Sequence, residues 1–318
     1  MSKELHHGDC LEILQGIPVG AIDLIYIDPP FFSQRVYKTR EGVTAFSDKW
    51  GSREAYLEYL RLRVIELRRV LKDTGSFYLH CDPTMSHYLK IVLDTIFDVE
   101  NFCNEIIWKR AYTVKGNFGQ GRKLFDINTD TIFFYRKTKN NTFNHIYTSY
   151  KDEYVRKFYK YIEPDTGRRY SLISMTGPGG ASKGNPRYEV MGVTRYWRYS
   201  EKKMAELIKD NLVVQTKYGN VPRRKQYLDE GKGVSLQTLW DDIRALSSHS
   251  AERIGYPTQK PLALMERIIK ASSNKGDTVL DAFCGCGSFL QAAQNFDRNW
   301  IGIDSSEIAI QYCKERLF

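Results

Sequence analysis

Asp28-Pro29-Pro30-Phe31 follows directly on a short apolar run whose Ile22, Leu24, Ile25 and Ile27 read as a buried strand. Proline cannot donate to a ladder, so the strand must stop there. In an open α/β sheet, ligands bind beyond the carboxyl ends of the strands, which makes the tetrad a candidate site. A carboxylate and a backbone carbonyl, each accepting one hydrogen of an exocyclic amino group on a base, favour a pyramidal nitrogen. Its lone pair, otherwise delocalised into the ring, is then free to attack. Asp28 supplies the carboxylate and the Pro29 carbonyl the second acceptor, held in place by Pro29 and Pro30 without a competing donor. Phe31 offers a flat apolar face for stacking. The plainer alternative is that Asp-Pro-Pro is only a stiff strand end.

A second constellation lies near the other end of the chain. Asp281-Ala282-Phe283-Cys284-Gly285-Cys286-Gly287 follows a short strand, Thr278 to Leu280, and opens a helix. Gly285 and Gly287 let the backbone come close to a ligand at the helix start. Asp304 ends the next strand, Trp300 to Ile303. A carboxylate placed there can hold both hydroxyls of an adenosine ribose. Two glycines alone are a weak signal, and a dinucleotide site would show a third. Strand, glycines, helix and acid together point to a nucleoside cofactor rather than a plain tight turn.

The elements that position these residues alternate. After the first strand come a helix over Arg53 to Lys72 and a turn at Asp73-Thr74-Gly75. A strand over Ser76 to His80, a helix over Thr84 to Ile96, and strands over Glu105 to Lys109 and Thr131 to Arg136 follow. From Pro261 the rhythm returns as helix, strand, helix (Ser288 to Asn295), strand and helix (Glu307 to Leu317). Short apolar strands alternating with helices predict a mostly parallel sheet covered on both faces. Residues 140–249 break the pattern with turn chemistry at Gly177-Pro178-Gly179-Gly180 and Gly231-Lys232-Gly233, and aromatics stand among the charges. They read as a module inserted into the α/β scaffold formed by 1–139 and 250–318.

The formal charge is +9, and residues 140–255 hold 20 Lys plus Arg against 13 Asp plus Glu, contributing 20 − 13 = +7 of it. Polyanions are the natural partners of such a surface, although a basic face kept for solubility is the bland reading. Six scattered cysteines give no disulfide framework, and the Cys284-Gly285-Cys286 spacing is not that of a zinc knuckle. No metal is expected, and His80 with Cys81 reads as a buried strand end. No apolar run is long enough to span a membrane, and a reducing cytoplasmic location is expected.

With these motifs in order, the sequence resembles the DNA amino-methyltransferases of the permuted, beta-type arrangement. In that family an (Asp/Asn/Ser)-Pro-Pro-(Tyr/Phe/Trp) tetrad precedes a Phe-x-Gly-x-Gly cofactor motif. Gly8-Asp9-Cys10, Tyr78-Leu79-His80-Cys81-Asp82 and Tyr256-Pro257-Thr258-Gln259-Lys260-Pro261 match as well, so the resemblance covers about residues 5–140 and 238–318. Ala282 and Phe31 depart from the commoner Pro and Tyr without removing a polar group. The resemblance implies a circularly permuted Rossmann-like sheet with helices on both faces, and S-adenosylmethionine as cofactor. It implies catalytic Asp28, Pro29, Pro30 and Phe31, with Phe283, Gly285 and Gly287 wrapping the cofactor. Asp281 would lie near the cofactor's amino-acid end, Asp304 on its ribose and Asp9 near its adenine, with Lys260 a candidate contact. Asp at the first tetrad position goes with adenine N6, Ser with cytosine N4.

Double-stranded DNA is then the expected substrate. Its target base must be swung out at a cost of a few kcal/mol, which cationic backbone contacts must offset. The candidates are Arg122 and Lys123 in a glycine-rich loop, and Arg195, Arg198, Arg223, Arg224 and Lys225 in the inserted target-recognition region. For each, a solvated surface role is the alternative. The resemblance makes a homodimer and a separate restriction endonuclease reasonable partners. Methylation of cytosine N4 or of RNA, or a non-catalytic DNA-binding regulator, are the competing functions.

Overall fold

A computed structural model describes residues 2–111, 123 and 125–318. The chain divides into two compact units, residues 1–146 with 237–318, and residues 147–236.

The first unit is built on an eight-stranded sheet. From one edge its strands are Lys3–His7, Asn299–Asp304, Thr278–Asp281, Ile22–Ile27, Leu71–Cys81, Thr129–Arg136, Phe102–Lys109 and Leu239–Trp240. Neighbours run parallel except around Thr129–Arg136, which is antiparallel to the strands on both sides. Because side chains alternate across a strand, both faces need cover. One face packs Ile25, Ile27, Phe77, Leu79 and Ile303 against the helices Cys10–Gln15, Arg53–Val70 and Ser86–Phe97. On the other, Tyr26 stacks on Phe289 of helix Ser288–Asn295 with ring centroids 5.2 Å apart, and Tyr78 bonds Ser272 of helix Leu262–Ser272 at 2.7 Å.

Local chemistry sets the helix starts. Ser52 accepts from the Ala55 amide (3.1 Å) at the head of Arg53–Val70, and Ser306 from the Ala309 amide (3.3 Å) at the head of Glu307–Leu317. These caps satisfy amides that a helix start leaves without intrahelical partners.

The fold departs from the sequence expectation in four places. Asp73-Thr74-Gly75 does not end a helix but lies inside the long strand Leu71–Cys81. Its turn character survives as a register break, with Ile22 opposite Leu71 but Leu24 opposite Ser76. The edge strand Lys3–His7 and helix Cys10–Gln15 are additional, and so is a hairpin of Arg35–Lys38 with Thr44–Asp48. Finally, Leu239–Trp240 pairs with Ile107–Trp108, so residues after 236 belong to the first unit.

The second unit carries a four-stranded antiparallel sheet ordered Val213–Val214, Arg223–Tyr227, Arg169–Ser174, Tyr161–Ile162. A separate hairpin joins Arg187–Val190 to Val193–Tyr196. Met175, Val190, Trp197, Met204, Leu207 and Val213 form its core. Among the described residues no helix is long and apolar enough to cross a membrane.

Candidate active site

Three adjacent parallel strands end in acids: Ile22–Ile27 leads into Asp28, Thr278–Asp281 ends on Asp281, and Asn299–Asp304 on Asp304. Parallel pairing aligns their carboxyl ends, so chain segments from opposite ends of the sequence meet at one edge of the layer. There they line a cavity of about 340 Å³ together with Pro29, Pro30, Phe31, Lys260, Phe283 and Gly285.

On the tetrad side, Asp28 Oδ2 is ion-paired with the Lys260 ammonium, which also lies 5.3 Å from the centre of the Phe31 ring. The other oxygen, Oδ1, is buried and accepts no hydrogen bond among the described residues. A buried acceptor without a donor is costly unless a ligand supplies one. The Tyr56 hydroxyl donates to the Pro30 carbonyl at 2.8 Å, leaving the Pro29 carbonyl without a donor among the described residues. Behind the tetrad, fully buried His80 sits between Tyr26 Oη (2.9 Å from Nδ1) and Asp130 Oδ2 (3.2 Å from Nε2). Its Nδ1 is 3.9 Å from Asp28 Oδ1, and its ring lies 5.8 Å from that of Phe31. Burial works to raise the Asp130 pKa, but the His80 hydrogen bond and the His80 and Arg110 charges outweigh it and hold Asp130 below the ordinary range.

The opposite side is formed by a glycine turn and two acids. Gly285 and Gly287 adopt φ of +50° and +76°, where glycine is favoured, and a side chain on Gly287 would press on Cys313 Sγ at 3.0 Å. Asp304 accepts from the amides of Gly285 (2.8 Å) and Ser306 (2.9 Å), which aims its carboxylate along the glycine turn. Burial pushes its pKa up, against the pull of those two amides. Asp281, 3% exposed and bonded to the Phe283 amide at 3.1 Å, is pushed well above the carboxylate range. Burial is the main cause, and the charges of Asp28 and Asp304 add to it. Buried Asp281 and partly exposed Asp304 both line the cavity and can accept from a ligand rich in donors. A nucleoside with hydroxyls and an ammonium fits that donor set.

The structure therefore brings Asp28, Pro29, Pro30, Phe31, Lys260, Asp281, Phe283, Gly285 and Asp304 to one cavity. Gly287 shapes the turn from behind. Asp9 does not line the cavity: it caps helix Cys10–Gln15 through the Leu11 amide (2.9 Å) and pairs with buried Arg63. Lys225 is corrected outright as a DNA contact. It is buried in the second unit, with its ammonium 2.9 and 3.1 Å from the two Glu163 carboxylate oxygens. Arg224 is half-buried and bonds the Tyr199 hydroxyl at 3.2 Å, whereas Arg195, Arg198 and Arg223 are exposed. Lys123 is exposed, and Arg122 lies outside the described residues. The described residues hold no cluster of ligands suited to a metal.

His80 and Asp130 escaped the sequence reading as parts of the site. Tyr78-Leu79-His80-Cys81-Asp82 did flag the strand, but nothing local tells that Asp130, on the neighbouring strand two positions from Ile132 opposite His80, reaches the His80 ring.

Comparison with known proteins fits this geometry. A family model described as DNA methylase of the N6/N4 group matches residues 22–315. Type II methyltransferase M.EcaI of Enterobacter cloacae is 34% identical over 299 residues, covering 92% of this chain and 64% of that protein. DNA adenine methyltransferase YhdJ of Escherichia coli K12 is 27% identical, covering 98% of this chain and 81% of its own. The protein TTHA0409 of Thermus thermophilus, solved in complex with S-adenosylmethionine, shares the fold with a TM-score of 0.51. Its identity is 19%, over 99% of this chain and 92% of that one. The chain thus spans just under two thirds of M.EcaI.

Proposed function

The chain belongs to the N6/N4 DNA methylase family, and on that footing we propose that it methylates the N6 amino group of adenine in duplex DNA, using S-adenosylmethionine. One observation carries the proposal. Asp28, whose buried Oδ1 has no donor among the described residues, lines the same cavity as the Gly285 turn and Asp304.

In this reading Asp304 holds the ribose hydroxyls, Asp281 faces the amino-acid end, and Phe283 with the Gly285 and Gly287 turn closes around the nucleoside. Bound there, the cofactor supplies an electrophilic methyl group on a sulfonium. Asp28 Oδ1 accepts one hydrogen of the target amino group and the Pro29 carbonyl the other, which pyramidalises the nitrogen and exposes its lone pair. Phe31 stacks on the extruded base. Lys260 holds Asp28 Oδ2, which leaves Oδ1 as the oxygen for the amine. The same pair keeps the Asp28 charge compensated while no base is present.

The aspartate at the first tetrad position, together with the adenine specificity in the name of YhdJ, favours adenine over cytosine. Residues 147–236 serve as the target-recognition unit, with Arg195, Arg198 and Arg223 contacting phosphates or base edges, alongside Arg224. A second copy of the chain is the proposed protein partner. It is supported by the exposed apolar side chains Leu62, Ile65, Tyr88 and Ile91 on neighbouring helices. A separate restriction endonuclease follows from the resemblance alone. All six cysteines are free, as suits the reducing cytoplasm.

The test is transfer of labelled methyl to duplex DNA, followed by digestion to nucleosides and chromatography. N6-methyladenine is the expected product. N4-methylcytosine would move the target, and label found in RNA but never in DNA would overturn the proposal.

A further inference from the structure

Asp48 has no place in the chemistry above, yet its carboxylate is 1% exposed and saturated with donors from the catalytic segment. Oδ2 accepts from the amides of Phe31 (3.1 Å) and Ser33 (2.7 Å), and Oδ1 from the amide of Phe32 (3.0 Å) and the Trp50 indole (2.8 Å). Three successive backbone amides converge on one anion, a concave nest of the kind that binds anions. The backbone has to reverse to create it: Phe32 and Gln34 stand at φ of +63° and +59°, left-handed positions unfavourable for residues with a side chain. Such a conformation persists only where the surroundings over-determine it. A second latch reinforces the first, for the Gln34 amide donates to the Asp48 carbonyl (2.9 Å) and the Trp50 amide to Gln34 Oε1 (3.1 Å).

The strand that ends in Asp48 reaches the other side of the cavity. The Ser306 hydroxyl donates to the Ala45 carbonyl at 2.6 Å, and the Ser306 amide to Asp304 Oδ1 at 2.9 Å. Ala45, Phe46, Ser47 and Asp48 line the cavity between those points. One short strand thus fixes the tetrad at one end and the ribose-holding acid at the other.

We propose that Asp48 is a positioning residue for methyl transfer, its carboxylate gripping the Phe31, Phe32 and Ser33 amides so that the Phe31 ring and the Pro29 carbonyl face the cofactor. This rests on the proposed function. A displacement of about 1 Å at a reacting centre can cost 10²-fold in rate, and the clamp controls displacements of that size.

The experiment compares Asp48→Asn, Asp48→Ala and Trp50→Phe with wild type. It measures the single-turnover rate at saturating cofactor and DNA, normalised to the concentration of cofactor-binding sites. Asparagine is nearly isosteric but turns an NH2 group toward amides that need an acceptor. Asp48→Asn is therefore expected to be slowed about 10²-fold, at least as severely as Asp48→Ala, with the cofactor Kd within about twofold of wild type. A purely structural role would lower the number of binding sites and the Tm while leaving the rate per site unchanged, and that result overturns the proposal. If Asp48→Asn does not fold, Trp50→Phe decides. Removing one donor is expected to slow the rate per site roughly three- to tenfold, and a wild-type rate overturns the proposal. Wild type that fails to methylate DNA at all sinks the proposed function instead. Active wild type with an equally active Asp48→Asn sinks only the clamp.

Discussion

The two units differ in how much of their buried charge is answered at one place. In residues 147–236 it is spent internally: Lys225 pairs with Glu163, and Tyr227 donates to Glu163 Oε2 at 2.5 Å. The half-exposed Arg168 bridges Asp229 and Glu230 at 2.8 Å each. In the first unit, buried acids are left partly unanswered at one sheet edge. Among the described residues Asp28 Oδ1 has no donor, Asp130 Oδ1 lies 3.0 Å from Arg110 Nε without hydrogen-bond alignment, and Asp281 accepts from one amide, that of Phe283. A satisfied buried charge specifies a scaffold, whereas an unsatisfied one marks where a ligand completes the structure.

The contrast can be broken by mutation. Removing the least satisfied acid should have the largest effect on function and little on the fold. Asp28→Ala is expected to lower methyl transfer by about 10³-fold or more, leaving cofactor and DNA binding in place. Rapid-quench transfer assays beside binding isotherms read this. Retained turnover would place the chemistry elsewhere.

Asp304 comes next. Asp304→Ala should weaken cofactor binding by about 10- to 100-fold, from loss of hydrogen bonds to a charged acceptor, while the rate at saturation changes less. Because burial raises its pKa, Asp304 takes up a proton at higher pH than an ordinary aspartate. The ionised form is the better acceptor for hydroxyls, so cofactor affinity should fall on acidification before the ordinary carboxylate range is reached. Calorimetry from pH 8 downward checks the sign, and Asp304→Asn should lessen the dependence, leaving the share that Asp281 contributes.

The second unit separates its own surface from its scaffold. Arg223→Ala should weaken DNA binding a few-fold and lessen the salt slope by about 0.9. Lys225→Met should leave that slope unchanged and lower the Tm, because Glu163 loses its cation. Equal salt slopes for the two variants would erase the distinction drawn here.

The smallest effect concerns stability. Asp281, whose folded pKa is raised, disfavours the fold when pH is above that pKa, and the penalty disappears below the ordinary aspartate value. Asp281→Asn should therefore raise the Tm of the cofactor-free protein at neutral pH, by about 2–4 °C if roughly 1 kcal/mol is relieved. The gain should vanish as pH falls through the ordinary carboxylate range.

What the sequence disclosed followed from local rules. Asp28-Pro29-Pro30 had to end a strand, and Gly285 and Gly287 had to turn one into a helix. Parallel pairing of Ile22–Ile27 with Thr278–Asp281 then brought the two motifs together. The hidden parts depend on pairing across distance. Asp48 reads as one more polar residue in Phe46-Ser47-Asp48-Lys49 until the chain folds back by 15 to 17 positions to set Phe31 and Ser33 on it. His80 alternates with core residues along its strand, and only the neighbouring strand supplies Asp130. Lys225 misled because Arg223-Arg224-Lys225 looks like a cationic patch. Strand alternation points the second of those neighbours away from the first and third, and the Glu163 carboxylate claims the third.

The most direct test of the central claim is a crystal structure with S-adenosylhomocysteine bound. The ribose is expected on Asp304, with the sulfur turned toward Asp28 across a gap that lets a nitrogen approach the departing methyl to about 3–3.5 Å. A ribose held elsewhere, or a sulfur facing away from the Asp28 carboxylate, would contradict it.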